Sequence, residues 1–198
     1  MTAAICIPWR PSAKREPLLS ALMDKLLGYT VYFADSDPGE FSRAQAANKA
    51  VAQALAEGHD VVVVNDADTI STPSSLRNAI DRTRLDGRPR LPYDKYVLMD
   101  QPQTESYLKS PVWSNLPDEP EYVGSVSGVL VFRSDSWLDI GGFDERYRGW
   151  GHEDNDMAAR AGFDRVPGRV WSLYHQPDDR SVSDPRNLRI YRETYGLT

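Results

Sequence analysis

The 198-residue chain is 40% apolar and 26% charged, the balance of a soluble globular protein with one core, and wholesale disorder is excluded. A net charge of -6, with no basic cluster interleaved with aromatics, disfavours a nucleic-acid partner, and no apolar run approaches the ~20 residues of a transmembrane segment. Cys6 is the only cysteine and allows no internal disulfide; with no basic-then-apolar leader at the N-terminus, a core thiol in a reducing, cytoplasmic setting is expected.

In chain order, "AAICIPW" predicts a first strand, and "PLLSALMDKLLG" a helix stopped by Gly28. "TVYFAD" follows as a second strand. The alanine-rich "SRAQAANKAVAQALAEG" is strongly helical, with Ser42 placed to cap its start and Gly58 its end. It runs into "HDVVVVNDAD", whose unbroken valines predict a strand covered on both faces, as in a parallel sheet. "TPSSLRNAIDRTR" predicts a helix with Pro73 in its first turn, and "KYVLMD" another strand. This alternation predicts an open α/β sheet, whose ligands bind at the carboxyl ends of strands. From Asp100 to Tyr122 four prolines and little periodicity predict a long surface excursion. "SVSGVLVFRSDSWLDIGGF" then gives a strand and short helix, "GWGHEDNDMAARAGF" a glycine-bracketed loop entering a helix, and "GRVWSLYHQ" a last strand.

Three features carry candidate chemistry. Asp66 and Asp68 end the valine strand one residue apart, so their charges repel, and a positive group is expected between them. Read alone, the pair also fits an Asx-type turn with both acids in solvent. Glu153, Asp154 and Asp156 open a helix, where the dipole favours negative charge by ~0.3–1 kcal/mol each, so they too have a purely structural reading. His175 ends a strand, and strand ends of a parallel sheet share one rim, where His175 could face Asp68 across a metal. An oxygen and nitrogen ligand set suits Mn2+, or Mg2+ as the alternative.

The segments "FSRAQAANKAVAQALAEGHDVVVVNDADTISTPSSL", "SVSGVLVFRSDSWLDIGGFDERYRGWGHEDNDMAAR" and "LYHQPDDRSVSDPRNLRI" together resemble GT-A glycosyltransferases, above all the β-1,4-galactosyltransferase and polypeptide N-acetylgalactosaminyltransferase groups. The resemblance implies one α/β domain over residues 1–198, with a single, mostly parallel open sheet, a nucleotide-binding half at 1–100 and an acceptor and catalytic half at 122–198. It implies a metal-dependent transfer of sugar from a UDP-sugar donor to a saccharide or other hydroxyl-bearing acceptor, with inversion. Pro8, Trp9 and Arg10 would hold the uridine, Arg43 would lie near the nucleotide, and Asp66 would face the ribose. Asp68 and His175 would ligate Mn2+. Gly128 would let backbone approach the donor, and Trp150 would stack at the boundary of donor and acceptor. Asp154 would be the base, with Glu153 positioning the acceptor.

Two positions and one short stretch depart from the family pattern. His152 replaces the second glycine of WGGED, Ser172 stands where relatives place a further metal-binding side chain, and the donor pocket from Ser125 to Gly128 is small in side chain. Two other readings stay open: a Mg2+-dependent phosphatase of the haloacid dehalogenase type, in which DxD follows the first strand, and a nucleotide-sugar-binding module without turnover.

Overall fold

Four consecutive valines stay dry on both faces only in an interior strand. The computed structural model describes residues 2–119, 121–149, 151–176 and 184–197, and in it Val61 to Val64 are fully buried in β3 (Val61–Asn65). Around β3 lie β1 (Ala3–Pro8), β2 (Thr30–Ala34), β5 (Arg90–Leu91), β7 (Val129–Arg133) and β8 (Asp164–Arg165), in one sheet of order β2-β1-β3-β7-β5-β8. β1 runs parallel to β2 and β3, and β5 parallel to β8, whereas β7 is antiparallel to β3 and β5. Burying each valine contributes roughly 1.5–3 kcal/mol, so this central strand anchors the sheet. Cys6 on β1 is wholly buried and its thiol is pushed up to about 12, a core residue as expected.

Helix α2 (Arg43–Ala56) sets Ala47, Ala50, Val51 and Ala54, all without exposure, along the face that meets β1. Small side chains at this spacing allow a close helix-to-sheet approach. Helices α3 (Pro73–Asp86) and α5 (Ser134–Ile140) pack on β7, and α1 (Glu16–Met23) meets α4 (Gln101–Lys109). Among the described residues no helix is long and apolar enough to cross a membrane.

Three sequence expectations need correction. The strands β6 (Lys95–Leu98) and β9 (Arg169–Ser172) do not extend the main sheet but form a second sheet with β4 (Thr69–Ser71), in the order β4-β9-β6. Alternation of strands and helices fixes the class but not which sheet a strand joins, and the three-residue β4 directly after the acidic pair carried no signal. The stretch after Asp100 holds α4, started by a capping box in which Asp100 accepts from Gln103 N at 2.8 Å and Gln103 Oε1 accepts from Asp100 N at 3.0 Å. That reciprocal pairing satisfies two otherwise free donors and overrides the prolines. Finally, α1 ends at Met23, before Gly28, whose φ of 92° serves a later turn.

Ser42 behaves as read: its Oγ accepts from Gln45 N at 3.3 Å, and it also donates to Tyr147 O at 3.1 Å. Ser42→Ala is therefore expected to cost about 1–2 kcal/mol, through the lost cap and an unpaired buried carbonyl, with an unchanged denaturant slope in urea unfolding.

Candidate active site

The acidic pair sits in the turn that leaves the buried strand β3 for the second sheet. Asn65, fully buried, ties that turn together by donating from Nδ2 to Asp66 O at 2.8 Å and Thr69 O at 2.9 Å. Asp66 N donates to Gly128 O at 2.8 Å. Gly128 adopts φ 87°, and a Cβ there would lie 3.0 Å from Thr69 Cγ2, so the residue type is set by backbone and space together.

Each aspartate has its own cation. Arg43, the first residue of α2, donates from Nε to Asp66 Oδ1 at 2.6 Å and from Nη1 to Asp154 Oδ1 at 2.8 Å. The two acidic motifs, far apart in sequence, thus meet on one guanidinium. Asp68 Oδ2 accepts from Arg15 Nη2 at 3.0 Å and lies 3.2 Å from His175 Nε2. The approach of His175 comes from antiparallel pairing of β4 with β9, extended by Leu173 N donating to Asp68 O at 2.8 Å. A shared rim of parallel strands was the expected cause, and an antiparallel neighbour in the second sheet is the actual one.

The electrostatics follow from burial and from the count of charges. Burial works to raise Asp68, but the His175 hydrogen bond and the Arg15 charge prevail and hold it at about 2. The His175 ring is raised in turn, by its hydrogen bond to Asp68 first and against its own burial. On the other side one guanidinium faces Asp66, Glu153 and Asp154, and cannot offset all three. Burial raises Asp66 despite Arg43, with Asp68 adding to it. Burial likewise raises Glu153, and lifts Asp154 to about 8 despite Arg43, with Glu153 and Asp66 adding.

Asp66, Asp68, Arg43, Asp154, Glu153 and His175 therefore form one cluster. Pro8 is buried at the end of β1. Trp9 lies under the Arg15 guanidinium, 6.0 Å from it. Arg10 turns instead into the loop after β2, bonding Asp35 at 2.9 Å and Gly39 O at 2.6 Å. Trp150 lies outside the described residues. Arg15 was missed by sequence reasoning, because a lone arginine before a helix carries no motif and only the fold brings it to Asp68. In the phosphatase arrangement DxD would follow the first strand, and here it follows β3.

For a divalent ion the described residues offer Asp68 carboxylate oxygen and His175 imidazole nitrogen, a set that suits Mn2+. No group of three His, Cys, Asp or Glu side chains able to hold a metal occurs among the described residues. Arg43 Nη2 and Arg15 Nε are buried beside these acids without a hydrogen-bond partner, donors suited to further anionic oxygens.

Known proteins share parts of this sequence and fold. Residues 114–173 match the family model described as the N-terminal domain of galactosyltransferase. Human β-1,4-galactosyltransferase 4 is 25% identical over 96% of this chain and 53% of its own length. Human β-1,4-galactosyltransferase 3 is 30% identical over 87% of this chain and 41% of its own. The chain thus spans about half the length of such relatives or less. Among solved structures, a Drosophila β-1,4-galactosyltransferase 7 mutant in complex with manganese, UDP-Gal and xylobiose superposes with a TM-score of 0.61 at 18% identity, covering 92% of this chain and 74% of that one. GalNAc-T7 with UDP, GalNAc and Mn2+ gives 0.57 at 10% identity, covering 98% of this chain and 48% of that one. The fold is GT-A, and the chain resembles the galactosyltransferases.

Because Asp154 stands near 8 when folded and near 3.9 unfolded, the folded state holds that proton more tightly. Its stabilising contribution is complete below pH ~4 and is lost as pH rises towards 8. Asp154→Asn is therefore expected to unfold at a higher temperature than the wild type at pH 8, with the difference vanishing towards pH 4, in a thermal-shift series across that range.

Proposed function

We propose that this chain is a metal-dependent glycosyltransferase that moves a sugar from a UDP-sugar to a hydroxyl of a saccharide acceptor, with inversion at the anomeric carbon. The observation that carries the reading is the convergence of Asp68 and His175, 3.2 Å apart, beside an Arg43 that joins Asp66 to Asp154. The structures of the same fold that hold manganese and UDP-Gal, or UDP, GalNAc and Mn2+, support it.

Asp68 and His175 would hold Mn2+, or Mg2+ as the alternative. When bound, the ion offsets negative charge on the departing diphosphate without a proton. Arg15 covers the same Asp68 oxygen and has an unpartnered Nε, so it would pass to the diphosphate as the donor enters. Pro8 and Trp9 would form the wall of the uridine site and Arg10 would hold its rim, with Asp66 towards the ribose and Gly128 admitting the donor against backbone. Residues 1–100 would carry the nucleotide and 122–198 the acceptor and the base. Trp150 would give a flat face to a sugar ring. Cys6, reduced and buried, fits a cytoplasmic setting.

Asp154 would accept the proton of the acceptor hydroxyl as its oxygen attacks the anomeric carbon and the bond to the diphosphate oxygen breaks. Glu153, buried at the same helix start, would hold the acceptor. A carboxylate raised to about 8 is a stronger base than a free one once ionised, and Arg43 is placed to stabilise the ionised form.

Calorimetry of UDP with and without Mn2+ tests the metal site. The wild type is expected to bind UDP more tightly with Mn2+, and Asp68→Ala to lose that dependence; equal, metal-independent binding by both proteins overturns the reading. In transfer assays with UDP-galactose and related donors, Asp154→Asn is expected to keep UDP–Mn2+ affinity and to lose about 10²- to 10⁴-fold in turnover.

A further inference from the structure

Helix α7 (Pro185–Tyr195) presents Asn187, Tyr191 and Tyr195 four residues apart, on one face. Each touches a residue of the catalytic segment, and those targets also advance by four. Asn187, fully buried, donates from Nδ2 to Arg148 O at 2.7 Å and accepts from Arg148 N at 3.2 Å. Tyr191 stacks on the His152 ring with centroids 5.2 Å apart and planes at 24°. Tyr195 donates to Asp156 Oδ1 at 3.0 Å, and Asp156 is also paired with Arg160 at 2.6 Å.

The middle contact falls where the backbone is least willing. His152 has φ 71°, and among the described residues no other non-glycine residue has a positive φ. Such a conformation is unfavourable for a residue with a side chain and persists only when the surroundings impose it. His152 is also the N-cap of α6 (Glu153–Ala161), and it makes no side-chain cap hydrogen bond. The direction in which Glu153 and Asp154 leave the loop is therefore set by a strained residue whose ring is held from outside the helix.

We infer that α7 is a splint for the catalytic segment, and that Tyr191 is a positioning residue that fixes His152 and so aims Asp154 at the acceptor. This deepens the glycosyltransferase reading and rests on it for the role of Asp154. The contact pattern stands apart from that role: two anchors, at Arg148 and Asp156, define the ends of the segment, and the ring stack sets its middle.

Four proteins test it: Tyr191→Ala, Tyr191→Phe, His152→Gly and the double variant Tyr191→Ala/His152→Gly. Amide hydrogen exchange over residues 151–157 is expected to accelerate in Tyr191→Ala and to stay near wild type in Tyr191→Phe, which keeps the ring. With UDP-galactose and a saccharide acceptor, Tyr191→Ala is expected to lose about 10²-fold in kcat, while the Kd for UDP–Mn2+ stays within about twofold. His152→Gly should resemble Tyr191→Ala, and the double variant should be no worse than either single one. Wild-type exchange in Tyr191→Ala, equal damage from Tyr191→Phe, or additive losses in the double variant would overturn the splint. If Asp154→Asn kept full turnover while Tyr191→Ala slowed it, the assignment of the base would fail and the splint would stand. If the wild type transferred no sugar, the exchange comparison alone would decide.

Discussion

The site depends on one guanidinium. Among the described residues Arg43 is the one cation bonded to both Asp66 and Asp154, at 2.6 and 2.8 Å, and it joins a turn of the first half of the chain to a helix of the second. Its side chain is only 12% exposed, so the two ion pairs act in a medium where water screens them weakly. Removing such a partner leaves buried carboxylates uncompensated, whereas keeping it still leaves more negative charge than it can offset. The site is thus held together by an attraction and loaded by a repulsion in the same few ångströms. Its raised carboxylates are the residue of that balance.

The fold supplies what the charges cannot. A row of valines dry on both faces makes β3 hard to displace, and Asn65 at its end locks the following turn with two backbone hydrogen bonds. Asp66 and Asp68 therefore leave a rigid strand rather than a free loop. The alanine face of α2 brings its first residue, Arg43, down to the same level, and the cap by Ser42 fixes where that helix begins. The second sheet delivers His175 from the other side. Placement of the acids and of their counter-charges is thus a consequence of core packing, and rigid elements suit a site whose groups must not relax away from one another.

Much of this was legible in residues whose patterns have a single physical solution. The unbroken valines, the alanine spacing of α2 and the Ser42 cap each admit little else, and the strand, helix and boundary stand where they were read. The roles of Asp66, Asp68, Asp154 and His175 were proposed from motif and resemblance, and the fold gathers these four residues. What sequence did not carry was anything decided by pairing. β6 and β9 look like any strands, and only β4, too short to signal itself, draws them into a separate sheet. The capping box at Asp100 and Gln103 starts a helix in a stretch whose prolines predict none. Arg15 and Tyr191 have no local signature, since each acquires meaning from a partner more than thirty residues away.

The loop between Arg148 and His152 shows why a second layer of contacts is needed. Glycines at 149 and 151 take φ of 69° and 104°, and glycine-rich backbone loses much conformational freedom when held in one shape. A buried, repelling cluster at its downstream end would favour any opening that let water reach the acids. Contacts made only within the loop could not resist this, because they would move with it. A helix face that grips both ends and the middle at matched four-residue steps can, and it does so without adding charge to a centre already carrying more than one arginine balances. On this view the histidine that departs from the usual glycine is a consequence of how the loop is held: an aromatic ring at 152 gives Tyr191 something to press on, where a glycine would give none.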